Sequence, residues 1–353
     1  MNRADDVKKA SGSADPTLDV HPHAMLDVHA HAMPVALLHW LAGRGLGGLS
    51  LERDVVHLDP RVSGVGPGVD LPLVPAQYQV EVRLEEMDKL KVSHQAVSMP
   101  PFLFCSTATD IDFVRQIVRR GNEELAALVA LAPDRLLALG SVPIGWPEAV
   151  QEAAYCLDEL GLAGVTIGSR GAGRELDDPV NRELWSLLAQ RRTFVLLHPS
   201  GVPDPVRQQE FWLPQLVGYP IETALAAARL MFGGVLERFD LRVCLAHGGG
   251  CLPALRGRLD LGWGRGPVAH TTVAAPSELM GGFYYDTAVF SDRLLSRLIE
   301  DFGTDRVLLG TDYPFELADR TPLDTVSRLG LDESTSRKIR WDTAATLLGL
   351  GSA

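Results

Sequence analysis

The stretch Leu26-Asp27-Val28-His29-Ala30-His31 decides the fold. It is an apolar, strand-prone run that ends in two imidazoles. In an extended strand residues i and i+2 share a face, so both rings reach one ion. Three other apolar runs end in the same way: TFVLL runs into His198, LRVCLA into His247 and RVLLGT into Asp312. Buried strands have no packing reason to end in a charge or an imidazole four times over. Imidazole and carboxylate are the donors that a borderline divalent cation takes. A (β/α)8 TIM barrel gathers the C-terminal ends of its strands at one face. These residues predict a metal-dependent barrel enzyme.

The flanking sequence supplies the alternation such a barrel needs. Strand-like segments at 92–99, 135–143, 163–168, 193–198, 241–247, 282–289 and 305–312 follow the first one. Helical patterns occupy 110–132, 147–160, 178–190 and 221–238, and an amphipathic helix over 336–350 closes the chain. Eight strands alternating with helices predict one closed parallel sheet. Residues 41–79 are rich in Gly and Pro without helical period, and read as an insertion or lid after the first strand. Gly43, Gly45 and Gly48 match G-x-G-x-x-G there, but no strand precedes them and no helix follows, so phosphate binding is not expected. Residues 1–24 read as a flexible tail, leaving 25–353 as a single domain.

A formal net charge of −12 over 353 residues argues against nucleic acid and anionic membrane as partners. No apolar run approaches the roughly 18 residues of a spanning helix, and the first 24 residues carry no signal-peptide segment. Cys105, Cys156, Cys244 and Cys251 show no C-x-x-C spacing, which suits a reduced, cytoplasmic protein.

Two H-x-H pairs compete for the metal, because LDVHPHAM (18–25) is nearly repeated as LDVHAHAM (26–33). Pro22 would cost the first pair a ladder hydrogen bond, so His29 and His31 are preferred over His21 and His23. His198 is followed at once by Pro-Ser-Gly, and Asp312 sits in GTDYPF between Gly310 and Pro314. Three His and one Asp make a mononuclear site with room for water, Zn2+ first and Mn2+ second. Strand 163–168 offers no Lys to be carboxylated as a bridge, so one ion is expected rather than two. His247 opens an HGGG run and reads as a fifth ligand or a general base. His39, His57, His94 and His270 lack such company and default to structural or surface roles.

The chain from about 26 to 345 resembles the amidohydrolase-related superfamily, and within it the α-amino-β-carboxymuconate-ε-semialdehyde decarboxylase branch. The resemblance is carried by DVHAHAMP, VRLEEMDKLKVSHQAVSMPP, ELDDPVNRELW, LLHPSG, LPQLVGYPIETALA, LAHGGGCLPALRGRLDLGW, PSELMGGFYYDTAVF and DRVLLGTDYPFELAD. It implies metal ligation by His29, His31, His198 and Asp312, and acid/base work by His247. It also implies that Arg258 binds a substrate carboxylate across the interface of a homodimer. The second carboxylate-binding arginine of the family falls here on Leu71, and Ser200 follows Pro199 where the family has a bulky, aromatic-rich loop. Arg44, Arg53, Arg61 and Arg207 are candidates to replace the lost anchor.

The resemblance implies a non-oxidative decarboxylase of a small aromatic or unsaturated carboxylic acid, with no organic cofactor. Asp312 would share the proton relay while ligating. The alternative is a hydrolase with the same ligands, acting on a lactone, amide or C–C bond. A non-catalytic protein on a degenerate barrel would have lost ligands, and none is lost. No G-x-S-x-G occurs to support a serine enzyme.

Overall fold

The computed structural model describes residues 24–50, 53–63 and 69–350. Of the expected tail 1–24, residues 1–23, and with them His21 and His23, lie outside the described residues, whereas Ala24 is buried with the barrel interior. Eight strands form the central sheet: β1 (Leu26–His31), β2 (His94–Ser98), β3 (Leu136–Val142), β4 (Gly164–Ile167), β5 (Phe194–Leu197), β6 (Arg242–Leu245), β7 (Tyr284–Asp286) and β8 (Val307–Leu308). They pair in chain order, every pair parallel. Beyond β8 the chain returns to β1: Val28 N–H donates to the Leu309 carbonyl at 2.9 Å, Asp312 N–H to His29 at 2.8 Å and His31 N–H to Tyr313 at 2.7 Å. This seam closes the barrel.

The strands are apolar on both faces, as parallel strands covered by helices must be. Leu26, Val28, Ala96, Leu139, Phe194, Leu196, Cys244 and Leu308 fill the interior, joined by Trp341, Ala344 and Leu348 of the closing segment. Val165, Ile167, Val195, Leu197, Val243 and Leu245 face outward onto Leu184, Trp185, Leu188 and Leu230 of the helices. The helix Ile111–Val129 shows the local logic. The Asp110 side chain accepts the N–H groups of Asp112 and Phe113, and Val114, Ile117, Val118 and Leu125 recur at helical spacing on the buried face.

Strand β1 departs from simple alternation. Asp27 lies opposite Gln95 but Ala30 opposite Val97, so three steps on β1 face two on β2. The extra residue is a bulge, which re-aims the side chains after it. Leu26 and Val28 line the interior, His29 and His31 turn to the mouth, and Asp27 reaches Gln95 and Thr311 instead.

The insertion has its own structure. A helix, Val35–Ala42, leads into an antiparallel sheet of Gly47–Ser50, Val55–Leu58 and Val69–Pro72. Leu46, Val56, Leu58, Val62 and Leu73 share a core with Met33, Val97, Met99 and Leu103, which fixes the insertion beside the ends of β1 and β2. Gly43, Gly45 and Gly48 run from a helix into a strand, the reverse of a dinucleotide-binding turn. The expected helix 221–238 is two helices, Tyr219–Phe232 and Val235–Arg238, broken at Gly234 with φ +67°. The closing helix likewise divides into Glu333–Arg337 and Thr343–Leu348, joined through wider turns at Lys338–Asp342.

Candidate metal centre

The strand ends bring His29, His31, His198, His247 and Asp312 to one point. One donor atom from each of His29, His198, His247 and Asp312 lies within 4.8 Å of the others. His31 Nε2 stands 3.2 Å from His29 Nε2 and 3.2 Å from Asp312 Oδ1, which is also 3.3 Å from His29 Nε2. All five are buried but His247, which is partly open. The backbone of both His247 (φ 57°) and Asp312 (φ 63°) is left-handed, each at a sharp strand exit. After His247, a Cβ on Gly249 would meet the Tyr285 ring and one on Gly250 the Pro220 carbonyl, so side chains there would disrupt this turn.

Each of the three ligand-type imidazoles is gripped at Nδ1 by an oxygen. His29 Nδ1 meets Asp286 Oδ2 at 2.6 Å, His31 Nδ1 meets Ser98 Oγ at 3.2 Å, and His198 Nδ1 donates to the Pro199 carbonyl at 2.9 Å. A proton on Nδ1 leaves Nε2 as a lone pair aimed inward. His198 Nε2 and Asp312 Oδ1 are buried without a hydrogen-bond partner. Acceptors facing acceptors are unfavourable unless a cation sits among them. The donor set fits a divalent metal.

The electrostatics agree. Burial opposes a charge on His29, but Asp312 and Asp286 outweigh it and raise its pKa to about 10, so the position attracts positive charge. Burial holds His31 below its ordinary value, and burial with the neighbouring imidazoles holds His198 well below it, keeping both neutral. Burial would raise Asp312, but His29, His247 and His31 hold it well below the carboxylate range. Asp286 is likewise depressed against its burial by His29, His247 and the Gly248 N–H.

Asp286, Ser98, Tyr219, Phe315 and Phe102 complete the surroundings, and the sequence reading singled out none of them. Asp286 ends the β7 run GFYYDTAV, so the strand-end criterion that found Asp312 applies to it too. Phe315 tilts over His31 with ring centroids 5.0 Å apart, and Phe102 packs on Phe315 at 6.3 Å. On the other flank the Tyr219 ring lies 6.4 Å from His198, and its hydroxyl has no hydrogen-bond partner among the described residues. Burial, with Asp312, pushes that phenol up to about 12. Ser200 joins a polar wall in which Ser169 Oγ lies 3.3 Å from Ser200 Oγ and donates to Glu222 at 2.7 Å.

Arg258 does not join the cluster within one chain. It is exposed on the helix Leu252–Arg265 with no side-chain partner among the described residues. Leu71 sits in the insertion sheet opposite Val56. The candidate replacements are engaged locally: Arg44 over Trp40, Arg53 on Ser50, Arg61 on Asp59 and Arg207 near Asp204. His57 pairs with Asp70, His94 packs on Trp341 and His270 stacks on Trp263, all away from the cluster.

An amidohydrolase family model matches residues 26–350. A 2-amino-3-carboxymuconate-6-semialdehyde decarboxylase from Dictyostelium discoideum is 34% identical over 278 residues, 77% of each chain. A gamma-resorcylate decarboxylase from Rhizobium sp. is 29% identical over 67% of this chain and 77% of its own. Among solved structures, a dihydroxybenzoic acid decarboxylase from Polaromonas sp. JS666, with bound manganese and the inhibitor 2-nitroresorcinol, superposes with a TM-score of 0.74. It is 23% identical and covers 94% of this chain and 98% of its own, and so speaks for the shared barrel. With the family match spanning all eight strands and the cluster at their ends, this chain belongs to the amidohydrolase family.

Proposed function

We propose that this chain is a metal-dependent, non-oxidative decarboxylase of a small aromatic or unsaturated carboxylic acid. One observation carries the reading: imidazole lone pairs and a carboxylate converge at the barrel mouth, beside a further imidazole placed to handle a proton. His29, His31, His198 and Asp312 are the assigned ligands. They would hold a divalent cation, Zn2+ by donor type or Mn2+ by analogy with the Polaromonas enzyme, which would supply Lewis acidity. No organic cofactor is invoked.

The chain's own residues do the rest. Phe315, braced edge-on by Phe102, offers an apolar face for a planar ring, and Tyr219 offers a hydroxyl from the His198 side. As the C–CO2 bond breaks, its electron pair stays on the substrate's π-system, and a proton takes the place of CO2 on that carbon. His247 is assigned to that proton. Its Nε2 lies 3.6 Å from Asp312 Oδ2, which steadies the ring, while its buried Nδ1 has no partner among the described residues. The D. discoideum and Rhizobium relatives, both decarboxylases, support this chemistry over hydrolysis.

Arg258 is assigned to the substrate carboxylate of a partner subunit, in a homodimer. Its exposure beside Leu261, and the exposed Phe211, Trp212 and Leu216, support a covered face. The insertion over 41–79 is assigned to substrate access. Four unpaired cysteines support a reducing, cytoplasmic setting, and no described helix is long and apolar enough to cross a membrane.

The test is mass spectrometry of metal-loaded protein incubated with hydroxy- and aminobenzoic acids, muconate-type acids, lactones and amides. Loss of CO2 from an acid is expected. Addition of water to a lactone or amide, with every acid intact, would overturn the assignment in favour of hydrolysis.

A further inference from the structure

Beneath the histidines, a buried polar chain crosses the barrel seam. Arg83, on the helix Val80–Leu90, is 1% exposed. Its Nη1 donates to Gln95 Oε1 at 2.9 Å and its Nη2 to the His31 carbonyl at 2.5 Å. Gln95 Nε2 donates to Asp27 Oδ2 at 3.0 Å, and the Thr311 hydroxyl donates to the same oxygen at 2.6 Å. Asp27 Oδ1 accepts the backbone N–H groups of Thr311 at 3.0 Å and His29 at 3.1 Å. The guanidinium also lies 5.4 Å from the centre of the Tyr313 ring, one residue past Asp312.

Ordinary packing does not account for this arrangement. A buried cation and a buried anion are joined through a neutral amide rather than paired directly, a costly choice that a hydrophobic substitute would avoid. Apart from Arg83 itself, every partner in the chain lies on β1, on β2 or just past β8. The His29 N–H, inside the β1 bulge, is taken by Asp27. The ligand-type residues flank the same seam, His29 and His31 on β1 and Asp312 after β8, and their mutual distances of 3.2–3.3 Å depend on its register.

We propose that Arg83 is a positioning residue for the metal centre. Through Gln95 and Asp27 it fixes the bulged β1 against the segment after β8, so that His29, His31 and Asp312 aim their donor atoms at one point. The proposal rests on the metal reading above.

The experiment titrates chelator-stripped full-length protein with Mn2+ alone, reading affinity by calorimetry and the Mn2+-induced rise in Tm. Arg83→Met should weaken Mn2+ binding about 10- to 100-fold, the range for residues that orient metal ligands, and shrink the Tm rise accordingly. Arg83→Lys keeps the charge but not the two-pronged grip, and should recover affinity only in part. A merely structural arginine would lower Tm equally with and without Mn2+ and leave the affinity unchanged, which would overturn the proposal. If Arg83→Met yields no folded protein, Thr311→Val decides in the same way, since it removes the hydroxyl bond to Asp27 Oδ2 and leaves only the backbone N–H of residue 311 holding Asp27 across the seam. Wild-type protein that fails to bind Mn2+ would defeat the metal reading itself, a result distinct from a variant that binds as well as wild type.

Discussion

Replacing Asp286 by Asn should cripple the metal centre without touching a proposed ligand. Asp286 Oδ1 accepts the N–H groups of Gly248 and Ala288 at 2.8 and 3.1 Å, and Oδ2 accepts His29 Nδ1–H at 2.6 Å and the His247 N–H at 3.1 Å. An asparagine keeps its carbonyl on the first pair and turns its NH2 toward two donors. His29 then accepts at Nδ1 only by moving its proton to Nε2, where it points into the cluster. Two charge-assisted bonds at about 1.5–3 kcal/mol each put the stability loss at roughly 3–6 kcal/mol before relaxation. The tautomer change should lower metal affinity about 10- to 100-fold, or about 1.4–2.8 kcal/mol. Calorimetric titration with Mn2+ measures the affinity, and urea unfolding in chelator measures the stability. An Asp286→Asn protein that binds Mn2+ as tightly as wild type would refute the claim that Asp286 sets the His29 tautomer.

Further outcomes follow from the same geometry. His247→Asn should cut turnover by at least about 100-fold while the protein still binds one Mn2+; retained activity would remove His247 from the proton step. Tyr219→Phe should raise KM roughly 10-fold for a substrate that accepts its hydroxyl, the worth of about one hydrogen bond, with kcat changed far less; an unchanged KM across the panel would take Tyr219 off the substrate. Leu196 is wholly buried in the barrel interior, so Leu196→Ala should cost about 2–5 kcal/mol in urea unfolding, and a cost under about 1 kcal/mol would contradict that packing. Burial pushes the Cys105 thiol up to about 12 and raises Cys156, Cys244 and Cys251 as well, but of the four Cys251 alone is partly exposed. In native protein at neutral pH a disulfide reagent should therefore label Cys251 first, and rapid labelling of Cys244 would mean that the interior opens.

The barrel was legible because its strands announce themselves: Phe194–Leu197 and Arg242–Leu245 fall inside the expected runs, and their terminal histidines stand where the run stops. The candidate centre was legible for the same reason, since a polar donor after a buried strand has no packing rationale. What stayed hidden depends on contacts between distant segments. Period-two reading of LDVHAH puts Asp27 on the face of His29 and His31, and only the register against β2 reveals the bulge that separates them. Asp286 looks like any strand-end acid until barrel closure brings the end of β7 within reach of His29 across β8. The insertion sheet escaped because its short strands are broken by Gly and Pro, and it is held by a core shared with Met33, Val97 and Met99 rather than by its own pattern. The helix expected over 221–238 breaks at Gly233-Gly234, where Gly234 takes a left-handed φ of 67° that periodicity alone does not register.

The seam between β1 and the segment after β8 gives the centre a birth order. A ribosome makes His29 and His31 before His198, and His198 before Asp312, so a nascent chain carries imidazoles long before the carboxylate that completes the set. The clasp at Asp27 must also wait, because two of its four donors belong to Thr311. The centre is thereby tied to completion of β8: a chain that stops short of it has the histidines but neither the seam nor the Asp312 carboxylate that completes the set.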